Sequence, residues 1–304
     1  MLFYLKKDVK ILKKDNFFGN FLAIITVFIW GFTFISTKIL LKSLSPEEIL
    51  FSRFFIAFLF LNIFSIKKIE KFSLKKEVFF ILLGLTGVTL YFWVENLSLK
   101  YTYASNVGLF SSSIPIFTAI LAHFLTKEKK FEFNILFGFI FSFIGIFLII
   151  FNGRILKLNP YGDLLAITAS VIFAIYSVLL KMVINENSNI LITKKIFFYG
   201  IIFMIPIIFI KKISYHNFIS LSFFSFLNLI FLAVFASALC FIMWNQSVKI
   251  IGSVQASNYI YFVPIITMTA SSIFLHEKIS IIMIIGGILI LIGVYITNLK
   301  NGTN

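Results

Sequence analysis

The 304-residue chain is 60% hydrophobic and only 13% charged, with a mean hydropathy of +1.02, a composition that excludes an ordinary water-soluble domain and calls for lipid as solvent. Its formal charge of +15 does not point to a nucleic-acid partner, because the Lys and Arg residues lie mostly in short gaps between apolar runs, where they act as topology signals. The single cysteine, Cys240, rules out an intramolecular disulfide, and His123, His216 and His276 lack metal-ligand spacing, so no metal or cofactor site is expected.

A basic tail over residues 1–16 (Lys6, Lys7, Lys10, Lys13 and Lys14) precedes an apolar run at 17–41. That run is too long for a signal-peptide core and lacks an Ala-x-Ala-like cleavage site, so it reads as a retained first span. Further runs of about 20 residues, the length that crosses a hydrocarbon core of ~30 Å, follow at 47–66, 77–99, 103–126, 132–151, 161–184, 190–210, 222–247, 252–275 and 279–299. The gaps carry turn or charge signals, among them Ser45-Pro46, Lys67-Lys68, Lys127 to Lys130, Asn159-Pro160, Lys211-Lys212 and His276 to Lys278, and none could hold a soluble catalytic domain. Lys67, Lys68, Lys71, Lys75, Lys76, Lys127, Lys129 and Lys130 fall on the same side as the basic tail, against Lys38, Lys42, Lys100, Arg154 and Lys157 on the other, a bias of the first half that places the N-terminus in the cytoplasm.

The chain also repeats itself. Asn96 and Asn245, Ser98 and Ser247, Lys100 and Lys249, Pro115 and Pro264, Glu128 and Glu277, and Gly138 and Gly287 are each 149 positions apart. Gly19 with Gly162, and Lys38 with Lys181, are 143 apart. The expected fold is therefore an all-α integral membrane protein of about ten transmembrane helices, built as two five-helix repeats at 17–152 and 160–299. An odd number of spans per repeat gives the copies opposite orientation, the inverted topology of secondary transporters.

Pro115 and Pro264 fall near the middles of the fourth and ninth spans, where each removes a helical bond and crowds the carbonyl four residues earlier, at Ser111 and Ile260. They are the candidate helix breaks and hinges. Asn106 and Ser113 share a face of the fourth span, while Asn258, Tyr259 and Tyr261 add polar groups to the ninth; such side chains belong inside the bundle or against a wet cavity. Glu95, in the string Tyr91-Phe92-Trp93-Val94-Glu95-Asn96, shares the outer third of the membrane with Lys38 and Arg53. It reads either as half of an ion pair with one of these cations or as a substrate or proton site. Trp30, Tyr91, Trp93, Tyr176 and Trp244 complete the candidate cavity lining, since aromatic walls with few polar groups suit an amphipathic solute. Glu128 and Glu277 are expected to favour the positive end of the helix that follows each of them.

Trp30-Gly31 with Lys38, the stretch from Asn96 to Ser105 leading to Pro115 and Glu128, Gly162-Asp163, and Trp244 through Pro264 to Glu277 together resemble the EamA-type family of the drug/metabolite transporter superfamily. The resemblance implies a ten-helix exporter or carrier with cytoplasmic termini. It further implies a central cavity lined by helices 1, 3, 4, 6, 8 and 9, with helices 5 and 10 more peripheral. Phe173-Ala174 stands where the second repeat would carry a Trp-Gly pair.

The expected function is secondary transport of small metabolites, with amino acids or related amphipathic compounds as candidate substrates, export as the direction and a proton as the candidate coupling ion. The partners are then a small solute and the bilayer of the cell membrane. An intramembrane lipid-modifying enzyme is the alternative. It is disfavoured by the absence of an intramembrane Asp pair, a His cluster or a Ser–His arrangement. A passive channel is the third reading.

Overall fold

A computed structural model describes residues 2–64, 73–126, 133–151, 160–184, 189–211, 218 and 220–298. Glu128 and the basic positions Lys67, Lys68, Lys71, Lys127, Lys129, Lys130, Arg154, Lys157 and Lys212 lie outside these residues. Among the described residues the regular structure is all helical, in ten successive rods: α1 (Leu2–Leu40), α2 (Pro46–Phe64), α3 (Leu74–Tyr101), α4 (Ala104–Leu125), α5 (Phe133–Phe151), α6 (Pro160–Val183), α7 (Asn189–Lys211), α8 (Phe223–Ile251), α9 (253–274) and α10 (Ile281–Asn298). Six segments among the described residues are long and apolar enough to cross a membrane: residues Asn16–Leu40 of α1, and α3, α4, α6, α7 and α8. The tail expected ahead of the first span is itself helical and continuous with it, since no Gly or Pro interrupts the chain before Gly19.

Local chemistry sets the helix ends. Ser45 and Glu48 form a reciprocal capping box ahead of α2, with the Ser45 amide donating to Glu48 Oε2 (2.7 Å) and the Glu48 amide to Ser45 Oγ (3.2 Å), while Pro46 fills the first helical position. Ser222 Oγ accepts from the Ser225 amide (3.1 Å) at the start of α8. Gly252, at φ 87°, turns the chain between α8 and α9 through a conformation that a side chain would oppose.

The core is aromatic. Phe54 of α2 and Phe197 of α7 lie 5.1 Å apart, Phe54 and Phe92 4.9 Å, Phe197 and Phe241 5.1 Å, and Phe92 and Phe241 6.1 Å, closing a box of four rings. Phe54 and Phe197 are 143 positions apart and Phe92 and Phe241 are 149 apart. The same spacings recur in the helix contacts. Gly19 approaches Ile250 and Ile251, and Gly162 approaches Tyr101 and Thr102. Lys38 Nζ donates to the carbonyls of Leu99 (2.5 Å) and Thr102 (2.6 Å) at the end of α3, and Lys181 Nζ to those of Val248 and Lys249 (both 3.4 Å) at the end of α8. In each case a cation meets the carbonyls that a helix C-terminus leaves without partners.

Helices α5 and α10 pack along each other with little between their backbones: a Cβ on Gly145 would lie 2.5 Å from the Gly286 carbonyl and 2.9 Å from Ile290. Their outer faces expose Phe137, Phe143, Phe147, Ile281, Ile285 and Ile288. An apolar surface of this extent suits contact with hydrocarbon rather than water.

Glu277 serves a helix N-terminus, but not that of the helix following it. Its carboxylate accepts from the amides of Ala104 (2.8 Å) and Ser105 (3.0 Å) and from Ser105 Oγ (2.7 Å), capping α4 from the turn between α9 and α10. Helix α10 has its own cap, Ser280 Oγ, which accepts from the Met283 amide (3.1 Å). Glu277→Ala should therefore cost about 1–2 kcal/mol, the loss of an N-cap, and lower the melting temperature in detergent, with Glu277→Gln retaining part of the effect. Gly145→Val should cost about 1–3 kcal/mol through overpacking of α5 on α10, measured the same way.

Candidate functional site

Four stretches among the described residues depart from regular α-helix. Helix α3 has a π-helical turn at Leu85–Leu90 and α8 one at Phe231–Leu239. Helix α4 breaks at Ser112–Ser113, just before Ile114 and Pro115, where the amides of Ser112 and Ser113 bond three residues back to Leu109 (3.2 Å) and Phe110 (2.9 Å). Helix α9 becomes a 3₁₀ turn at Asn258–Phe262, just before Val263 and Pro264. Proline fits the first turn of the half-helix that it opens and cannot continue the one before it.

The backbone groups loosened by these breaks find side-chain partners. Ser111 and Ser113 donate back to Gly108 and Phe110 (both 2.7 Å), and Ser170 of α6 also donates to the Phe110 carbonyl (3.1 Å). Trp30 Nε1 donates to the carbonyl of Ala236, within the π turn of α8 (3.0 Å), and Thr89 Oγ1, within that of α3, donates to Gly200 of α7 (2.9 Å).

A cavity lies beside the breaks of α4 and α9, lined by Trp30, Thr33 and Phe34 of α1, Tyr91, Phe92 and Glu95 of α3, Ser111 and Ile114 of α4, Phe173 of α6, and Ile260 and Val263 of α9. The centre of a water-sized sphere has about 20 Å³ to move in, space for a single water. Glu95, 3% exposed, stands one helical turn after Tyr91 on α3. Trp30 meets Phe173 edge-on at 5.6 Å and Trp244 at 5.0 Å, and Tyr91 lies 4.8 Å from Phe173.

Of the residues expected at a cavity, Trp30, Tyr91 and Glu95 line this one. The others lie elsewhere, each for an evident reason. Trp93 faces the end of the bundle, where its indole donates to Glu47 (3.1 Å). Asn106 is fully buried beside Thr102 (3.2 Å) and Asp163 (3.4 Å), at the junction of α3, α4 and α6. Ser113 is spent on its own helix break, and Tyr176 donates to Asn245 (3.0 Å) on the opposite side of the core. Trp244 forms a layer behind Trp30, Asn258 and Tyr259 are half-buried on the 3₁₀ turn, and Tyr261 is buried with its hydroxyl lacking a partner among the described residues.

The two cations named with Glu95 also part company. Lys38 is held by the carbonyls ending α3, with Glu277 as its charged neighbour. Arg53 lies within the electrostatic reach of Glu95 without touching it. An ion pair in direct contact joins Lys195 of α7 to Glu77 of α3, which also accepts from Tyr199 (2.7 Å).

Ser111, in the serine run ahead of Pro115, is a further polar lining residue, and those that inspection of single spans passes over are Thr33, Phe34, Phe92, Ile114, Phe173, Ile260 and Val263. The repeat spacing could have found several. Phe173 stands 143 positions after Trp30, Ile260 stands 149 after Ser111, and Val263 stands 149 after Ile114. The cavity wall is thus largely a set of matched pairs.

The model of the EamA-like transporter family matches residues 17–151 and again 160–299. An uncharacterized transporter of Archaeoglobus fulgidus is 29% identical over 288 residues, covering 92% of this chain and 97% of its own length. The uncharacterized transporter YyaM of Bacillus subtilis is 30% identical over 274 residues, covering 87% and 88% respectively. A solved crystal structure of another protein, 15% identical, superposes with a TM-score of 0.64 over 92% of this chain and 96% of that one, a likeness of fold alone. The two consecutive matches span nearly the whole chain, and the protein belongs to the EamA-like transporter family.

Proposed function

We propose that the protein is a secondary transporter of small amphipathic metabolites, working by alternating access between two five-helix repeats of opposite membrane orientation. On this reading all ten rods span the cell membrane, both termini are cytoplasmic, and export is the direction that the family resemblance implies. The observation that carries it is the central cavity: it sits where matched breaks at Pro115 and Pro264 meet, and it contains a buried carboxylate, Glu95. Buried ionisable groups and broken helices at mid-membrane suit a solute pathway far better than a static bundle.

A second hollow supports motion at the breaks. A groove of about 290 Å³ runs between α4, α9 and α10, bordered by Leu109, Ser112, Pro264, Met268 and Gly287. It leaves room beside Pro264 for the half-helices to tilt. In the cycle Glu95 would hold a cationic group of the solute or a coupling proton, with Trp30, Phe34 and Phe173 surrounding the apolar body.

Purified protein in liposomes should show saturable, gradient-driven solute flux; voltage-driven conductance or chemical turnover would exclude a carrier. Glu95→Gln should reduce that flux by ~10-fold or more, as expected for losing a charge-assisted hydrogen bond worth ~1.5–3 kcal/mol, with the melting temperature little changed. Replacing Pro115 and Pro264 together by Ala should slow turnover more than it impairs membrane insertion. For topology, Ser43→Cys at the turn after α1 and Met182→Cys at the end of α6, each in a Cys240→Ala background, should react with impermeant thiol reagents from opposite faces; reaction from one face removes the inverted repeat.

A further inference from the structure

The groove between α4, α9 and α10 differs in kind from the central cavity. Its wall is apolar apart from Ser112 and Thr269. Both hydroxyls are committed to their own helices, Ser112 donating to the Leu109 carbonyl and Thr269 to that of Ile265 (2.8 Å). A trapped water needs several polar partners, which this wall does not offer. The groove opens outward beside Ile265, Ile284 and Ile288, all three exposed, and is continuous with the apolar face of α10 that suits contact with hydrocarbon.

Gly287 borders this space without being required by helix packing. Among the described residues a Cβ there would meet the end of the Leu109 side chain, at 3.3 Å. Its repeat mate, Gly138, lies in the tight seam of α5 and α10, where a Cβ on Gly293 would come within 2.4 Å of the Gly138 carbonyl. The first copy of the glycine thus serves close packing, and the second leaves room. The groove's border on α10, from Ile284 to Leu291, runs ~10 Å along the axis at 1.5 Å per residue. It falls in the middle of the apolar run 279–299, as Pro264 does in 252–275. At that depth a spanning protein is surrounded by lipid tails, not headgroups. The volume of about 290 Å³ is roughly twice the ~150 Å³ that takes up a benzene in an apolar protein interior.

We propose that this groove is a binding site for one acyl tail of a bilayer lipid, lying along α10 against Gly287 and Met268. The proposal rests on the reading that α9 and α10 cross the membrane. The occupant's chemistry follows from the lining, the depth and the open side: a flexible hydrocarbon chain meets no polar group in need of a partner and enters from the surrounding bilayer. The position gives the tail a bearing on transport. Ser112 and Pro264 border the groove, while their chain neighbours Ser111 and Val263 line the central cavity. A bound tail is therefore separated from the cavity by the broken segments themselves, and as a fluid filler it yields when the half-helices tilt.

The test uses the full chain in phosphatidylcholine liposomes doped with a phosphatidylcholine that carries a photoreactive diazirine near the end of one tail. Irradiation followed by peptide mass spectrometry should find adducts on Met268, Thr269, Ile284 and Ile288 at least ~10-fold more often than on Phe143 and Phe147 of the outer α5 face, a preference of ~1.4 kcal/mol. Gly287→Leu, which fills the groove, should remove most of that excess and leave labelling of α5 unchanged. Gly287→Ala, a smaller intrusion that guards against a folding artefact, should remove part of it. Equal labelling of the groove and the α5 face, or an excess that survives Gly287→Leu, would overturn the site while leaving the membrane reading standing. A groove spared from labelling in a protein that cross-links to a second copy through α9 and α10 would overturn it in favour of a dimer contact. Adducts on neither α9 nor α10, inside the groove or outside it, would overturn the site together with the ten-span reading on which it rests.

Discussion

A chain surrounded by hydrocarbon must satisfy its backbone polar groups internally, because there is no water to take the place of a missing helical bond. That constraint governs the interior of this protein. Helices α3, α4, α8 and α9 each depart from regular α-helix over a short stretch. The loosened carbonyls are then met by particular side chains: the Trp30 indole on Ala236, Ser170 on Phe110, and the serines of the α4 break on their own preceding turn. Polar residues that might be taken for substrate ligands are thus partly committed to keeping the broken helices intact.

This requirement explains why so little polar chemistry faces the cavity. Glu95, Thr33, Tyr91 and Ser111 are its polar lining, and the rest is aromatic and aliphatic. On the carrier reading proposed above, a solute there would meet few polar groups against a largely apolar wall, the balance on which the proposal of an amphipathic substrate rests. The four-ring box of Phe54, Phe92, Phe197 and Phe241 lies beside this wall and joins α2, α3, α7 and α8. It holds the cavity's side together without directional bonds, so rings can slide past one another where hydrogen bonds would have to be broken.

The helical rods were legible in the sequence because run length and hydropathy are one-dimensional properties. The matched positions were legible too, since Lys38 with Lys181 and Pro115 with Pro264 stand out as polar or special residues in apolar surroundings. The site was less legible. Periodicity shows which residues share a face of a straight helix, but the break at Ser112–Ser113 changes the angle between Asn106 and the residues beyond it. Asn106 therefore ends in a polar cluster with Asp163, a residue 57 positions away that no pattern within α4 could have announced. Phe173 was passed over because it replaces an expected Trp, although its spacing from Trp30 marked it as the opposite wall. Glu277 shows the same difficulty: its value to a helix N-terminus could be anticipated, but its choice of α4 over α10 depends on a contact across 172 or 173 positions.

The clasp between Glu277 and the first turn of α4 has a mechanical corollary. It ties the hairpin of α9 and α10 to the segment from Ala104 to Ser111, so any tilt of that hairpin drags the segment along as a lever. In the proposed cycle bending would then fall on the three serines preceding Pro115, converting a displacement at the rim of the bundle into a change of angle beside Ser111, where the cavity wall begins.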